Sequence, residues 1–192
     1  MEKPNVKETL VTEGLRLMLA ASYEAVGIQD VVKAAGVPKG SFYYYFSSKE
    51  AFGEAVIDEY TRHASEDYER VVGSAEGDSG AKARAYFEHL AAGYRKNNFS
   101  KGCLYGNLAL EMADRSERLR ARVNEGLIGW ERSLGQLFRS DASVAARTNP
   151  DDLAKHLIQS WEGALIRMRA ERSDRPLELF FRFSFAPQFL ST

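Results

Sequence analysis

The sequence predicts an all-α chain of about nine helices, and three observations carry that expectation. No stretch of the 192 residues sustains the apolar–polar alternation of a half-buried strand. Apolar residues recur instead at spacings of three and four, the period of a helix with one covered face. The five prolines each fall beside a boundary that capping residues mark independently.

Taken in order, Asn5 with Glu8 reads as a capping pair that opens a first helix, running to about residue 21. A second helix is expected over 28–35 and a third over 39–46. Ser47, with Glu50 three residues on, reads as a capping box starting a fourth helix that reaches about residue 72. The glycine, serine and acidic residues of 73–80 form a surface loop. Helices follow at 81–97, 102–114 and 117–139, with a second loop over 140–149. Asn149-Pro150-Asp151-Asp152 is a strong helix start: a cap, a proline at the first position, and acids facing the positive end of the dipole. That helix ends near Glu171; Pro176 begins the last one, which Pro187 ends or bends. The expected domains are 1–50 and 51–192.

Bulk composition narrows the function classes. Lys and Arg total 26 against 27 for Asp and Glu, so no global positive field marks a nucleic-acid binder. Residues 1–50 carry six basic and six acidic side chains, so any such claim rests on local geometry. A single cysteine, Cys103, rules out an intrachain disulfide and a thiolate-rich zinc site, and three scattered histidines do not supply one. No metal or other cofactor is expected. The first seven residues are polar and no segment approaches the ~20 apolar residues needed to cross a bilayer, so a cytoplasmic location without a membrane partner is expected.

The informative stretch is 27–46. Ile28, Val31, Val32 and Ala35 lie at i, i+3, i+4 and i+7, one apolar stripe on a short helix. Gly36 suits a C-cap with positive φ, Val37 tucks inward, and Pro38 opens the next helix. There Phe42 and Phe46 share a face, while Tyr43, Tyr44 and Tyr45 are consecutive and span most of the circumference. At least one tyrosine and Lys39 must therefore face outward. Two short helices about a glycine turn make a helix-turn-helix whose second helix fits a major groove. Gly40 and Ser41 permit close approach to a nucleic-acid backbone, and the tyrosines and lysines offer donors to phosphate oxygens. A helical hairpin with tyrosines packed as core is the structural alternative.

The run from Ile28 through Val31-Val32-Lys33-Ala34-Ala35-Gly36-Val37-Pro38-Lys39-Gly40-Ser41-Phe42-Tyr43-Tyr44-Tyr45-Phe46 to Lys49 and Phe52 closely resembles the N-terminal signature of TetR-family regulators. The resemblance implies a three-helix DNA-binding domain followed by a helical ligand-binding and dimerisation domain. It implies that Lys39, Gly40, Ser41, Tyr44 and Tyr45 meet base edges or nearby backbone, and that Tyr43 and Lys49 hold phosphates. Gly27, at the start of the second helix, is also an expected DNA contact, but Val26 and Gly27 stand where the family usually has Thr or Ser, so a hydroxyl–phosphate contact is absent there. Val32 replaces a usual small residue.

In the second half, Tyr105, Asn107, Glu111, Trp130, Trp161 and Arg167 mix rings with polar groups, the composition of a small-molecule pocket between helices. Arg167 either meets an anionic ligand or pairs with Glu162. The run Gly102-Cys103-Leu104…Leu108…Glu111, with Trp161-Glu162-Gly163-Ala164, resembles the branch that regulates acrylate and reactive-electrophile metabolism. If Ser100 caps its helix, Cys103 occupies the third position, where free amides and Lys101 favour a thiolate; the other reading is a buried cysteine that only packs. Leu157, Trp161, Ala164 and Met168 on one helix, and Leu177, Phe180, Phe181, Phe185 and Phe189 on the next, ask for more apolar cover than one chain gives. The resemblance implies that these two helices pair with a second copy, with Leu157, Trp161, Ala164, Phe181 and Phe185 at the interface. The expected protein is a homodimeric repressor released from a pseudo-palindromic operator on double-stranded DNA by a small-molecule inducer. Two rivals stand beside it. One is a helical enzyme using Cys103 or a Glu/His pair, although no histidine lies near Cys103 in sequence and no phosphate loop appears. The other is a helical module that contacts only protein.

Overall fold

The structure, a computed structural model, describes residues 5–186, so Pro187 and Phe189 lie outside the described residues. Those residues form ten helices and no strand: α1 (Val6–Ala20), α2 (Ile28–Ala34), α3 (Lys39–Tyr45), α4 (Lys49–Ser74), α5 (Ser79–Lys96), α6 (Leu104–Met112), α7 (Glu117–Arg139), α8 (Ala142–Ala145), α9 (Pro150–Glu171) and α10 (Arg175–Ser184).

The caps explain most boundaries. Asn5 accepts the Lys7 amide at the head of α1, and Asn149 accepts those of Asp151 and Asp152 at the head of α9. Several starts differ from expectation. The cap of α4 is Ser48 rather than Ser47: its hydroxyl accepts the Ala51 N–H at 3.0 Å, while Glu50 turns away to accept the Ser116 hydroxyl. Asp78 caps α5 two residues early, accepting from the Ala81 amide at 2.7 Å. The one helix beyond the nine expected, α8, lies inside the expected 140–149 loop. The Asp141 carboxylate nucleates it by accepting the Ser143 N–H at 3.0 Å and hydroxyl at 2.7 Å. The same carboxylate takes the Ser79 hydroxyl at 2.8 Å and amide at 3.2 Å. These four donors hold Asp141 well below the usual carboxylate range.

The described residues pack as two units, one of residues 5–64 with Cys103–Gly126 and one of Ser65–Gly102 with residues 127–186. Helices α4 and α7 each supply residues to both units. In the first unit Phe42, Phe46 and Phe52 meet in edge-on and tilted contacts with centroids 5.0–5.5 Å apart, and Leu10, Met18 and Val56 are buried in the same unit. Each such fully buried ring contributes about 2–3 kcal/mol through area alone. Gly14 lets the Phe52 ring reach the α1 backbone, since a Cβ there would lie 2.3 Å from the ring. In the second unit Phe87 is the hub, touching Trp161 and Phe180 with centroids 5.1 Å away and Trp130 at 6.1 Å.

Candidate nucleic-acid interface

The turn between α2 and α3 is set by Gly36. Its φ of +67° is the left-handed conformation that a side chain disfavours. There the chain closes α2 by a bond from the Val37 N–H to the Val32 carbonyl at 3.0 Å and one from the Gly36 N–H to Lys33 at 3.3 Å. Val31 and Val32 point inward, as their stripe predicts, and Val37 is half-buried. On α3, Phe42 is wholly covered and Phe46, just beyond the helix, is 4 % exposed. The neighbouring tyrosines face out: Tyr43 is 55 % exposed and Tyr44 82 %. Tyr45 is half-buried and packs edge-on to Tyr44, centroids 4.8 Å apart. Lys39 and Gly40 are exposed, Gly40 with open space where a Cβ would stand, and Ser41 is half-buried. The core hypothesis for the tyrosines therefore fails at Tyr43 and Tyr44. A row of one ammonium, one hydroxyl and two exposed phenols sits on a helix whose opposite face is locked by phenylalanine.

Two expected contacts look different in three dimensions. Gly27 is the N-cap of α2, and its N–H donates to the Asp30 carboxylate at 2.9 Å, so that donor is used internally. Lys49 is half-buried; its ammonium donates to the Glu24 carbonyl at 3.2 Å and lies 4.6 Å from the centre of the Tyr23 ring. Burial pushes its pKa below the ordinary lysine value. The sequence missed this partner because nothing in the spacing of residues 24 and 49 pairs them.

The expected sensor residues divide between the units. Cys103, Tyr105, Asn107 and Glu111 belong to the first. Ser100 does not cap α6: its hydroxyl donates back to the Asn97 carbonyl at 2.6 Å, and Asn98 and Phe99 adopt φ of 50° and 57°. Cys103 is itself the N-cap, not the third helical residue, and is 3 % exposed. The Tyr60 hydroxyl donates to its sulfur at 3.5 Å. The Tyr105 hydroxyl shares a 2.7 Å bond with Thr61, and burial raises its pKa. Glu111 points to the α1–α2 segment, where it accepts two backbone amides. In the second unit, Trp130 and Trp161 place their indole N–H groups in the aromatic core with no hydrogen-bond partner. Arg167 is exposed and pairs with Glu171 one turn on, not with Glu162.

Residues 10–56 match the family model described as bacterial regulatory proteins of the tetR family, and residues 80–183 match the tetracyclin repressor-like C-terminal domain. The chain belongs to the TetR family. It is similar to the transcriptional regulator AcuR of Cereibacter sphaeroides, 35 % identical over 182 residues that cover 91 % of this chain and 81 % of that protein. It is 32 % identical to the HTH-type transcriptional repressor DhaR of a Mycobacterium species, over all of this chain and 96 % of that one. The crystal structure of reduced Escherichia coli NemR superposes with a TM-score of 0.81 at 31 % identity, covering 94 % of this chain and 95 % of that one. The chain is accordingly a helix-turn-helix transcriptional regulator of the TetR family rather than an enzyme, with the architecture that its N-terminal run implied.

The expected dimer residues sit at different depths in the chain. Leu157 and Trp161 are wholly covered inside their own chain, and Phe181 is 9 % exposed beneath the Arg84 guanidinium. Phe185 is half-buried and stacks on Phe181, and Ala164 is 9 % exposed. The periodicity of Leu157, Trp161 and Phe181 is that of the chain's own core, whereas Ala164 borders open space. The open side of the same TetR-family helix pair is a groove of about 600 Å³ between α9 and α10, floored by Gly163, Ala164 and Phe180 and flanked by Ser160, Leu179 and Phe183. Phe183 is 60 % exposed.

Proposed function

We propose that this regulator is a homodimeric repressor that reads a pseudo-palindromic operator through α3 and lets it go when a small molecule or an electrophile acts on the region beyond the helix-turn-helix. The observation that carries the DNA reading is the outward row on α3, Lys39, Ser41, Tyr43 and Tyr44, held rigidly from behind by Phe42 and Phe46. In this reading Lys39, Gly40, Ser41, Tyr44 and Tyr45 meet bases or nearby backbone, and Tyr43 holds a phosphate. The dimer forms over the α9–α10 groove, so that two recognition helices address successive major grooves. Repression agrees with the names of DhaR and NemR.

Two observations bear on the inducer. Cys103 stands at the N-cap of α6, accepts from Tyr60 and is the chain's single thiol, so an electrophile that reacts with sulfur would act there, although its cover slows access. The unpartnered indole N–H groups of Trp130 and Trp161 favour a second reading, an uncharged ligand that brings hydrogen-bond acceptors into the second unit.

Selection of bound duplexes from random DNA, followed by release assays on the winner, tests the whole. An enriched inverted repeat is the expected outcome. Equal retention of all sequences, or none, would overturn the reading. A Cys103→Ser protein still released normally by N-ethylmaleimide would exclude Cys103 as the sensor.

A further inference from the structure

The nine residues of α6 carry a polar group at each end whose partner lies elsewhere in the first unit. At its C-terminal end, Glu111 reaches the segment joining α1 to α2. Its Oε2 accepts the Tyr23 N–H at 3.0 Å and its Oε1 accepts the Glu24 N–H at 2.6 Å. Two consecutive amides thus share one carboxylate supplied by a helix far along the chain, and hydrogen bonds to a charged acceptor are the strong kind.

The same two residues are fixed from other sides. Lys49 donates to the Glu24 carbonyl and covers the Tyr23 ring. Arg115 pairs with the Glu24 carboxylate, though both are more than half exposed and so add little. The Tyr23 ring is 6 % exposed and lies against Gly53, where a Cβ would come within 2.8 Å of it. Glu24 stands three residues before Gly27, the N-cap of α2, and the Gly36 turn joins α2 to α3. Any displacement of the 23–24 amides therefore moves the base of the helix-turn-helix.

We infer that Glu111 is the positioning residue of the DNA-binding domain: it clasps the Tyr23 and Glu24 amides and makes the placement of α3 depend on the state of α6, at whose other end Cys103 sits. The positioning role stands on the contacts alone; its use as a transmission point rests on the inducible-repressor reading above. Among the residues expected to line a ligand pocket, Glu111 is thereby reassigned.

Full-length Glu111→Ala and Glu111→Gln proteins test this against the selected operator duplex, with N-ethylmaleimide as the thiol probe. In Glu111→Ala, amide exchange at Tyr23 and Glu24 should accelerate at least about tenfold and operator affinity should fall about tenfold, the loss expected for charge-assisted bonds. The ratio of operator affinities without and with the probe should collapse toward one. Glu111→Gln, which keeps one carbonyl acceptor, should fall between, and it supplies the answer if the alanine protein does not fold. Operator affinity and probe ratio both within twofold of wild type would overturn the proposal, as would a lowered thermal midpoint with an unchanged ratio. If wild type ignores N-ethylmaleimide, the electrophile reading fails, while the exchange and affinity measurements still decide the clasp.

Discussion

Within three consecutive positions of α3, the environment changes from wholly covered Phe42 to 55 % exposed Tyr43 and 82 % exposed Tyr44. Tyr43 also packs edge-on to Phe42, centroids 5.5 Å apart, so Tyr43→Phe keeps the packing and removes only a hydroxyl. This variant should bind every sequence about 3- to 10-fold more weakly with an unchanged base preference. Tyr44→Phe should instead change the sequence recovered by selection; identical profiles for the two would refute the division of roles. Lys49 gives a sharper case. Its internal partners predict that Lys49→Met lowers stability by about 1 kcal/mol and leaves the salt dependence of operator binding as it was. A slope reduced by about 0.9 on titrating salt would restore the phosphate contact that the family resemblance implied.

At the scale of elements, capping chemistry decides what a sequence reveals. α7 and α9 have the bounds expected, because an amphipathic period many turns long and a strong Asn-Pro-Asp-Asp start leave little freedom. The recognition helix was equally legible, since Gly36, Pro38 and the Phe42–Phe46 spacing act locally. α8 was not, because four residues hold little more than one helical period and its nucleating carboxylate is shared with Ser79, distant in sequence. The start of α6 departs from the expected residue 102 for a related reason. The left-handed backbone at Asn98 and Phe99 carries no glycine signal and delays the helix to Leu104. Glu111 reads from sequence as a pocket residue and, by resemblance, Lys49 as a phosphate contact, because their partners come from elsewhere in the chain and leave no periodic trace. Asp141 supplies a pH prediction. Its depressed pKa means that its stabilisation is complete above the ordinary carboxylate value near 4 and is lost as pH falls toward its folded value. Asp141→Ala should cost about 1–2 kcal/mol near neutrality, and urea midpoints should show the gap from wild type shrinking below about pH 4. Gly14→Ala should cost about 1–3 kcal/mol, because the Phe52 ring has to retreat from α1; a chemical denaturation curve coincident with wild type would refute that contact.

For the whole molecule, periodicity identified the last two helices as apolar but did not say which residues each chain keeps for itself. The structure assigns Leu157, Trp161 and Phe181 to the interior and leaves Phe183 outside. A charge at Phe181 should therefore unfold the second unit. Phe183→Glu should preserve the helical content and yield monomers with weakened operator binding, as read by sedimentation velocity. A dimer unchanged by Phe183→Glu would move the interface off the α9–α10 groove. The distribution of aromatic residues also equips the protein with its own optical labels. Both tryptophans, Trp130 and Trp161, belong to the second unit, whereas the ring-bearing residues exposed on α3 are tyrosines. Light absorbed by indole alone, at the red edge beyond tyrosine, thus excites only the second unit. Because both indole N–H groups are shielded from water, the emission should be blue-shifted and should respond to any acceptor-bearing molecule that reaches them. Ligands of this regulator can in that way be screened by fluorescence before its operator is known.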